Sequence, residues 1–216
     1  MANALLIKAA NLGELGREQD VIAAYDDLIG HVDGAVELSL RENLATTLFQ
    51  KGLRLSKLNL PEQAIVVYGG LIDRFGGSDA VTLREAVAKA LFNKGLMFSS
   101  LERWDDEIGS YDDLVARFGA APELPLRESV ATALLYKGER LGLLSRDGDE
   151  CDVYADLLMH FGDDADSGVQ KLVGEASSRL IVLRRSHPRT AATLDTDALA
   201  AQTAIDSDGT LTAKLG

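Results

Sequence analysis

Residues 82–118 read TLREAVAKALFNKGLMFSSLERWDDEIGSYDDLVARF, and the fold is decided by how apolar residues are spaced in this stretch and its copies. Leu83, Val87, Leu91, Phe98 and Leu101 recur at three, four and seven residues, which is the period of a helix face and not the alternation of a strand. We denote this segment helix A. A second stripe, seen in the neighbouring copy as Ile65, Tyr68, Leu71, Ile72 and Phe75, defines helix B.

The layout returns every 43 residues without insertion. Tyr25, Tyr68, Tyr111 and Tyr154 keep that spacing, as do Lys8, Lys51, Lys94 and Lys137, with Gly52, Gly95 and Gly138 following three of the lysines. Further columns hold the register: Leu28, Leu71, Leu114 and Leu157; Phe75-Gly76, Phe118-Gly119 and Phe161-Gly162; and Leu-Arg-Glu at 40–42, 83–85 and 126–128. A unit of two helices and a turn cannot bury its apolar face alone, so the copies must stack and share a core.

Local signals set the expected boundaries. Ser39 to Glu42 and Thr82 to Glu85 have the form of a capping box at the start of helix A, and Pro125 suits a first helical position in the third copy. Gly76, Gly119 and Gly162 are expected to take the left-handed conformation that ends helix B. Lys57 to Pro61 and Ser145 to Gly148 are the A–B turns, short enough to force an antiparallel hairpin.

Composition narrows the function classes. Proline is confined to Pro61, Pro122, Pro125 and Pro188, leaving long stretches free to be helical. The formal charge of −12 repels nucleic-acid phosphates and anionic lipid, and no dense basic run exceeds Arg184-Arg185 with Arg189. No apolar run reaches spanning length, Met1 to Ile7 lacks a signal-peptide layout, and the lone Cys151 cannot close an intrachain disulfide, so the expected setting is cytoplasmic. Cys151 stands in the column of Ile22, Ile65 and Ile108 and reads as a small core hydrophobe.

Catalytic and metal motifs do not form. His31 and His160 share a column with Arg74 and Arg117 and read as solvated helix-end residues, while His187 precedes Pro188. The acidic clusters at 147–152, 163–166 and 206–208 lack the ligand order of a calcium loop, and no phosphate loop or serine elbow occurs. The expectation is a chain that is not an enzyme and uses no cofactor or metal.

These columns resemble the tetratricopeptide repeat, whose units of about 34 residues carry fixed small and aromatic positions. In the second copy that pattern falls on Leu48, Lys51, Gly52, Leu55, Ala64, Tyr68 and Gly76. Departures are Lys51 where the family prefers leucine, Gly76 where it prefers proline, and Glu107 and Glu150 in the column of Ala64. The unit is also longer than the family's, by about nine residues.

The resemblance implies an all-α, right-handed α-solenoid of antiparallel helix pairs over residues 1–185, with repeats at about 1–33, 34–76, 77–119 and 120–162, a capping helix at 163–185 and a tail at 186–216. It further implies binding of a protein or peptide, as an amphipathic helix or an apolar segment, on an inner wall of A helices, while the acidic charge leaves no nucleic acid and no membrane as partner. That wall would present Phe49, Phe92 and Leu135 in one row, Gln50, Asn93 and Tyr136 in the next, Leu53, Leu96 and Glu139 below, and Lys89 at its edge. The cationic clamp that some members use for a terminal carboxylate is largely replaced here by Phe49, Phe92, Leu135, Leu53 and Leu96. The same apolar rows would equally serve an inter-repeat core.

The lysine column also has two readings: a ladder for an acidic partner, or stems packed on the core with each ammonium reaching a carboxylate such as the Asp27, Asp113 and Asp156 column. Met1 aligns with Leu44, so the first A helix is expected to be shortened. Arg179, Arg184 and Arg185 suit a polar capping helix over 167–185, and 190–206 reads as a last helix whose Leu194, Leu199 and Ile205 would pack on the array or on a second copy. Self-assembly as a homo-oligomer and a role as a regulatory fragment of a larger signalling enzyme are the alternatives to a scaffold.

Overall fold

A computed structural model describes residues 2–186 apart from 33 and 35, and among the described residues every regular element is a helix. In order they are α1 (Ala2–Glu14), α2 (Glu18–Val32), α3 (Leu38–Lys57), α4 (Pro61–Phe75), α5 (Val81–Ser100), α6 (Trp104–Phe118), α7 (Leu124–Leu143), α8 (Asp147–Phe161) and α9 (Ser167–Ser186). The odd-numbered helices are the A helices and the even-numbered ones the B helices. The chain divides into two compact units, Met1–Lys137 and Gly138–Gly216, the division falling within α7. In the first unit each helix from α1 to α6 packs on the next and α3 also packs on α5; in the second, α8 packs on α9. This consecutive packing is that of an α-solenoid. The expected tail helix with Leu194, Leu199 and Ile205 lies outside the described residues.

The Lys-Gly and tyrosine columns explain one another. Gly52 lies against the ring of Tyr68, Gly95 against Tyr111 and Gly138 against Tyr154, so close that a Cβ would stand 2.4, 2.6 and 2.4 Å from the ring Cε1 atoms. Three of the four tyrosines in that column, Tyr68, Tyr111 and Tyr154, are 0% exposed. The missing side chain on helix A is therefore the slot into which helix B lays its largest buried residue. A second link closes the far end of each pair: the guanidinium of Arg41 stands 5.8 Å over the ring of Phe75, and that of Arg84 5.8 Å over Phe118.

Helix boundaries follow different chemistry from that expected. Helix A begins one residue before Ser39 and Thr82, with Glu37 and Ala80 as N-caps that make no side-chain cap, so the capping boxes do not form. Ser39 donates to Glu37 Oε1 at 2.8 Å instead, Thr82 donates to Glu42 of the preceding A helix, and Pro125 is the second residue of α7. Gly76, Gly119 and Gly162 are right-handed, with φ of −60°, −55° and −55°. Glycine serves there because a Cβ would meet the carbonyl oxygens of Ile72, Val115 and Leu158 at 2.7, 2.8 and 2.6 Å.

The left-handed residue sits instead in the A–B turn. Gly16, Asn59, Glu102 and Ser145 occupy one column, with φ of 68° for the glycine and 57° for the other three. Each is followed by an amide that reaches back to close the turn: Leu60 to Leu55 O at 3.0 Å, Arg103 to Phe98 O at 3.0 Å, and Arg146 to Leu141 O at 2.9 Å. Glutamate is poorly suited to this conformation. Glu102→Gly is therefore expected to raise stability by about 1 kcal/mol, read as a higher urea midpoint, whereas a lower midpoint would show the turn unstrained.

Candidate protein-binding wall

The A-helix face is where the sequence places a partner, and its residues divide between core and surface. Phe49 and Phe92 are half-buried, each resting on the tyrosine of its own repeat, with centroids 6.0 Å apart for Phe49–Tyr68 and 5.7 Å for Phe92–Tyr111. Leu135, third in that row, is 4% exposed and belongs to the core. Leu53 and Leu96 are half-buried, as are Gln50 and Asn93. Tyr136 is 39% exposed, its ring edge-on to Phe92 at 5.1 Å. Glu139 is exposed and falls in the second unit.

Three of these residues come together. A cleft of about 390 Å³ opens between α5 and α7, lined by Glu85, Lys89, Phe92 and Asn93 from one helix and Pro125, Glu128, Ser129 and Thr132 from the other. Glu85 and Glu128 share a column, as do Lys89 and Thr132, so equivalent faces of successive A helices form the two sides. Between α3 and α5 the Thr82 hydroxyl donates to Glu42, but the residue equivalent to Thr82 on α7 is Pro125, which has no donor to give Glu85. Glu85 instead meets Lys89 at 3.7 Å. Phe49, Gln50, Leu53, Leu96, Leu135, Tyr136 and Glu139 do not line this cleft.

Glu85, Pro125, Glu128, Ser129 and Thr132 had no place in the sequence-derived wall. The Leu-Arg-Glu signature did mark Glu85 and Glu128, but as helix-start residues, whereas both lie inside the first turns of α5 and α7 and line the cleft.

The lysine column is mostly internal to the array. Lys51 pairs with Asp26 and Lys137 with Asp112 at 2.5 Å, each reaching back to the preceding B helix, and these lysine side chains are only 18% and 20% exposed. The carboxylates are thus one residue before the expected column. Asp113 binds Arg117 at 2.7 Å, while the Asp27 and Asp156 carbonyls face His31 and His160. Where the pairing aspartate is replaced by Gly69, Lys94 stands over the Phe98 ring at 5.7 Å. Lys8 is exposed.

The buried polar groups of the B helices complete the electrostatics. Glu107 and Glu150, 2% and 3% exposed, occupy the column of Ala64. Tyr111 donates to Glu107 Oε1 at 3.4 Å. Burial pushes the Glu150 carboxyl above its usual range, against the opposing pull of Arg179. Burial likewise pushes Tyr154 up to about 12, and raises Tyr68 further. Cys151 is 2% exposed and its thiol is raised by burial, the opposite of an activated nucleophile. Among the described residues no group of three or more His, Cys, Asp or Glu is placed to hold a metal ion, and no helix is long and apolar enough to cross a membrane.

No family model matches the chain, and no curated protein does. Among solved structures the chain is similar to the crystal structure of BtubC (BKLC) from P. vanneervenii, with a TM-score of 0.62 and 11% identity over 98% of this chain and 84% of that one. At that identity the likeness concerns the fold alone.

Proposed function

We propose that the chain is a non-catalytic scaffold of lengthened tetratricopeptide-like units, holding a protein or peptide segment on the wall of its A helices. The observation that carries this reading is the α5–α7 cleft, whose volume of about 390 Å³ can take one or two side chains of a partner and whose sides come from equivalent columns of successive repeats. The half-buried Phe92 at its base offers an aromatic surface already braced by Tyr111 and Tyr136, so little ordering is needed on binding. The chain's net charge of −12 favours a protein partner over nucleic acid or anionic membrane. A cytoplasmic setting fits the single, buried Cys151.

Because Phe49 and Phe92 brace the core, their truncation would mix folding with binding. A photoreactive amino acid at exposed Lys89 is the cleaner probe: it is expected to capture a partner that the same group at Val66, 73% exposed on α4, does not.

A further inference from the structure

The cleft differs from a plain apolar groove in the hydrogen-bonding capacity it leaves over. Ser129 donates its hydroxyl proton to Pro125 O at 2.7 Å and Thr132 donates its own to Glu128 O at 2.7 Å, both within α7. On the opposite side Asn93 donates through Nδ2 to Lys89 O at 2.8 Å. Ser129 and Thr132 have therefore spent their only donors on their own helix and retain two hydroxyl oxygens as acceptors, while Asn93 retains its amide oxygen and one N–H. The Glu85 and Glu128 carboxylates add acceptors only. Against them stands a single ammonium, Lys89, already drawn to Glu85 at 3.7 Å, while Glu128 is exposed and has no ion pair among the described residues. Two carboxylates and one ammonium make the cleft net negative within a chain that is itself strongly acidic.

From this complement, and on the wall reading above, we propose that the α5–α7 cleft is a site for an arginine of a basic peptide segment. A guanidinium carries five donors and no acceptor, which suits the excess of acceptors in the cleft, and its flat face suits the Phe92 ring. Glu128 forms the charged contact and the hydroxyl and amide oxygens receive the remaining N–H groups. Flanking aliphatic residues of the peptide lie along the half-buried wall.

The test uses the full chain and three labelled, end-capped peptides that differ only in the residue between two leucines: arginine, its uncharged isostere citrulline, or glutamate. Affinities are read by fluorescence anisotropy at physiological ionic strength, where long-range attraction is screened. The arginine peptide is expected to bind about tenfold or more tightly than the citrulline peptide, the advantage of a charge-assisted hydrogen bond. Glu128→Gln is expected to remove most of that difference, and Glu62→Gln, at an exposed site on α4, to leave it intact. Both glutamates are exposed, so unchanged circular dichroism and thermal midpoints are expected to accompany the comparison. Equal affinity for all three peptides, or a Glu128→Gln effect no larger than that of Glu62→Gln, would overturn the arginine site while leaving the wall reading in place. Failure of all three to bind would overturn both.

Discussion

Gly95→Ala is expected to lower stability by about 2–3 kcal/mol, although alanine is by itself the better helix former by about 1 kcal/mol. The added Cβ would stand 2.6 Å from Tyr111 Cε1 and 3.0 Å from Cζ, and this ring is 0% exposed, so it has no open side to retreat to. The two helices must then separate, or the ring must leave its rotamer. Gly70→Ala is the matched control, because Gly70 is also helical and nothing lies within 4 Å of its Cβ position; it is expected to gain about 0.5–1 kcal/mol. Urea midpoints for the pair should move in opposite directions. A shift of both in the same direction would show that the glycine–tyrosine contact does not set the helix spacing. The first repeat supplies an internal precedent: Ala9 occupies the glycine column there, and Tyr25 is 7% exposed where Tyr68, Tyr111 and Tyr154 of the same column are 0% exposed.

The second large effect is expected in alkali. Tyr154 is held up to about 12 and Tyr68 higher still, both mainly by burial, whereas a free tyrosine ionises near 10. The folded chain thus holds these protons more tightly than the unfolded chain. The stability they contribute is complete below pH 10 and is lost as pH rises toward 12 for Tyr154 and beyond it for Tyr68. For Tyr154 alone the loss is on the order of 3 kcal/mol. Tyr68→Phe should delay the loss, and at neutral pH it is expected to be neutral or stabilising, because the Tyr68 hydroxyl is buried without a hydrogen-bond partner among the described residues. Absorbance of ionised tyrosine recorded with helicity across pH 9–12 checks this: at least two tyrosines should ionise only as the helix signal falls. Ionisation of every tyrosine near 10 in a folded chain would contradict it.

The 43-residue period made the all-helical architecture legible, because a column such as Tyr68, Tyr111 and Tyr154 registers the same packing environment in every copy. Helix B was readable to its final phenylalanine, and α9 to within one residue, since both end where an apolar stripe stops. Backbone conformation was less legible. Gly76 and its counterparts suggested a left-handed cap, but there the glycine relieves a contact with the preceding turn, and the left-handed column is Gly16, Asn59, Glu102 and Ser145, where only the glycine and the asparagine give warning.

The candidate site was legible only in part, for a physical reason. Helical periodicity tells which side chains share a face, not which of them another helix will cover. Leu135 and Phe92 occupy the same column, yet one is in the core and the other borders the cleft, a difference set by the neighbouring helices. The cleft is lined by Pro125 where the α3–α5 pair has the Thr82 hydroxyl, a change that acquires meaning only once α5 and α7 are seen side by side. The lysine–aspartate pairing was readable in kind for Lys51 and Lys137, whose carboxylates, Asp26 and Asp112, stand one residue before the expected column on the preceding B helix.

The proposal that the A-helix wall holds a partner is tested most directly by photocrosslinking of the full chain inside its own cells. The photoreactive group is placed at position 89 in the cleft or at position 66 on α4, each with and without Asn93→Arg, which fills the cleft from within. The account expects one discrete crosslinked species from position 89, its absence from position 66, and its loss with Asn93→Arg at an unchanged thermal midpoint. The same species from both positions, or its persistence when the cleft is filled, would contradict it.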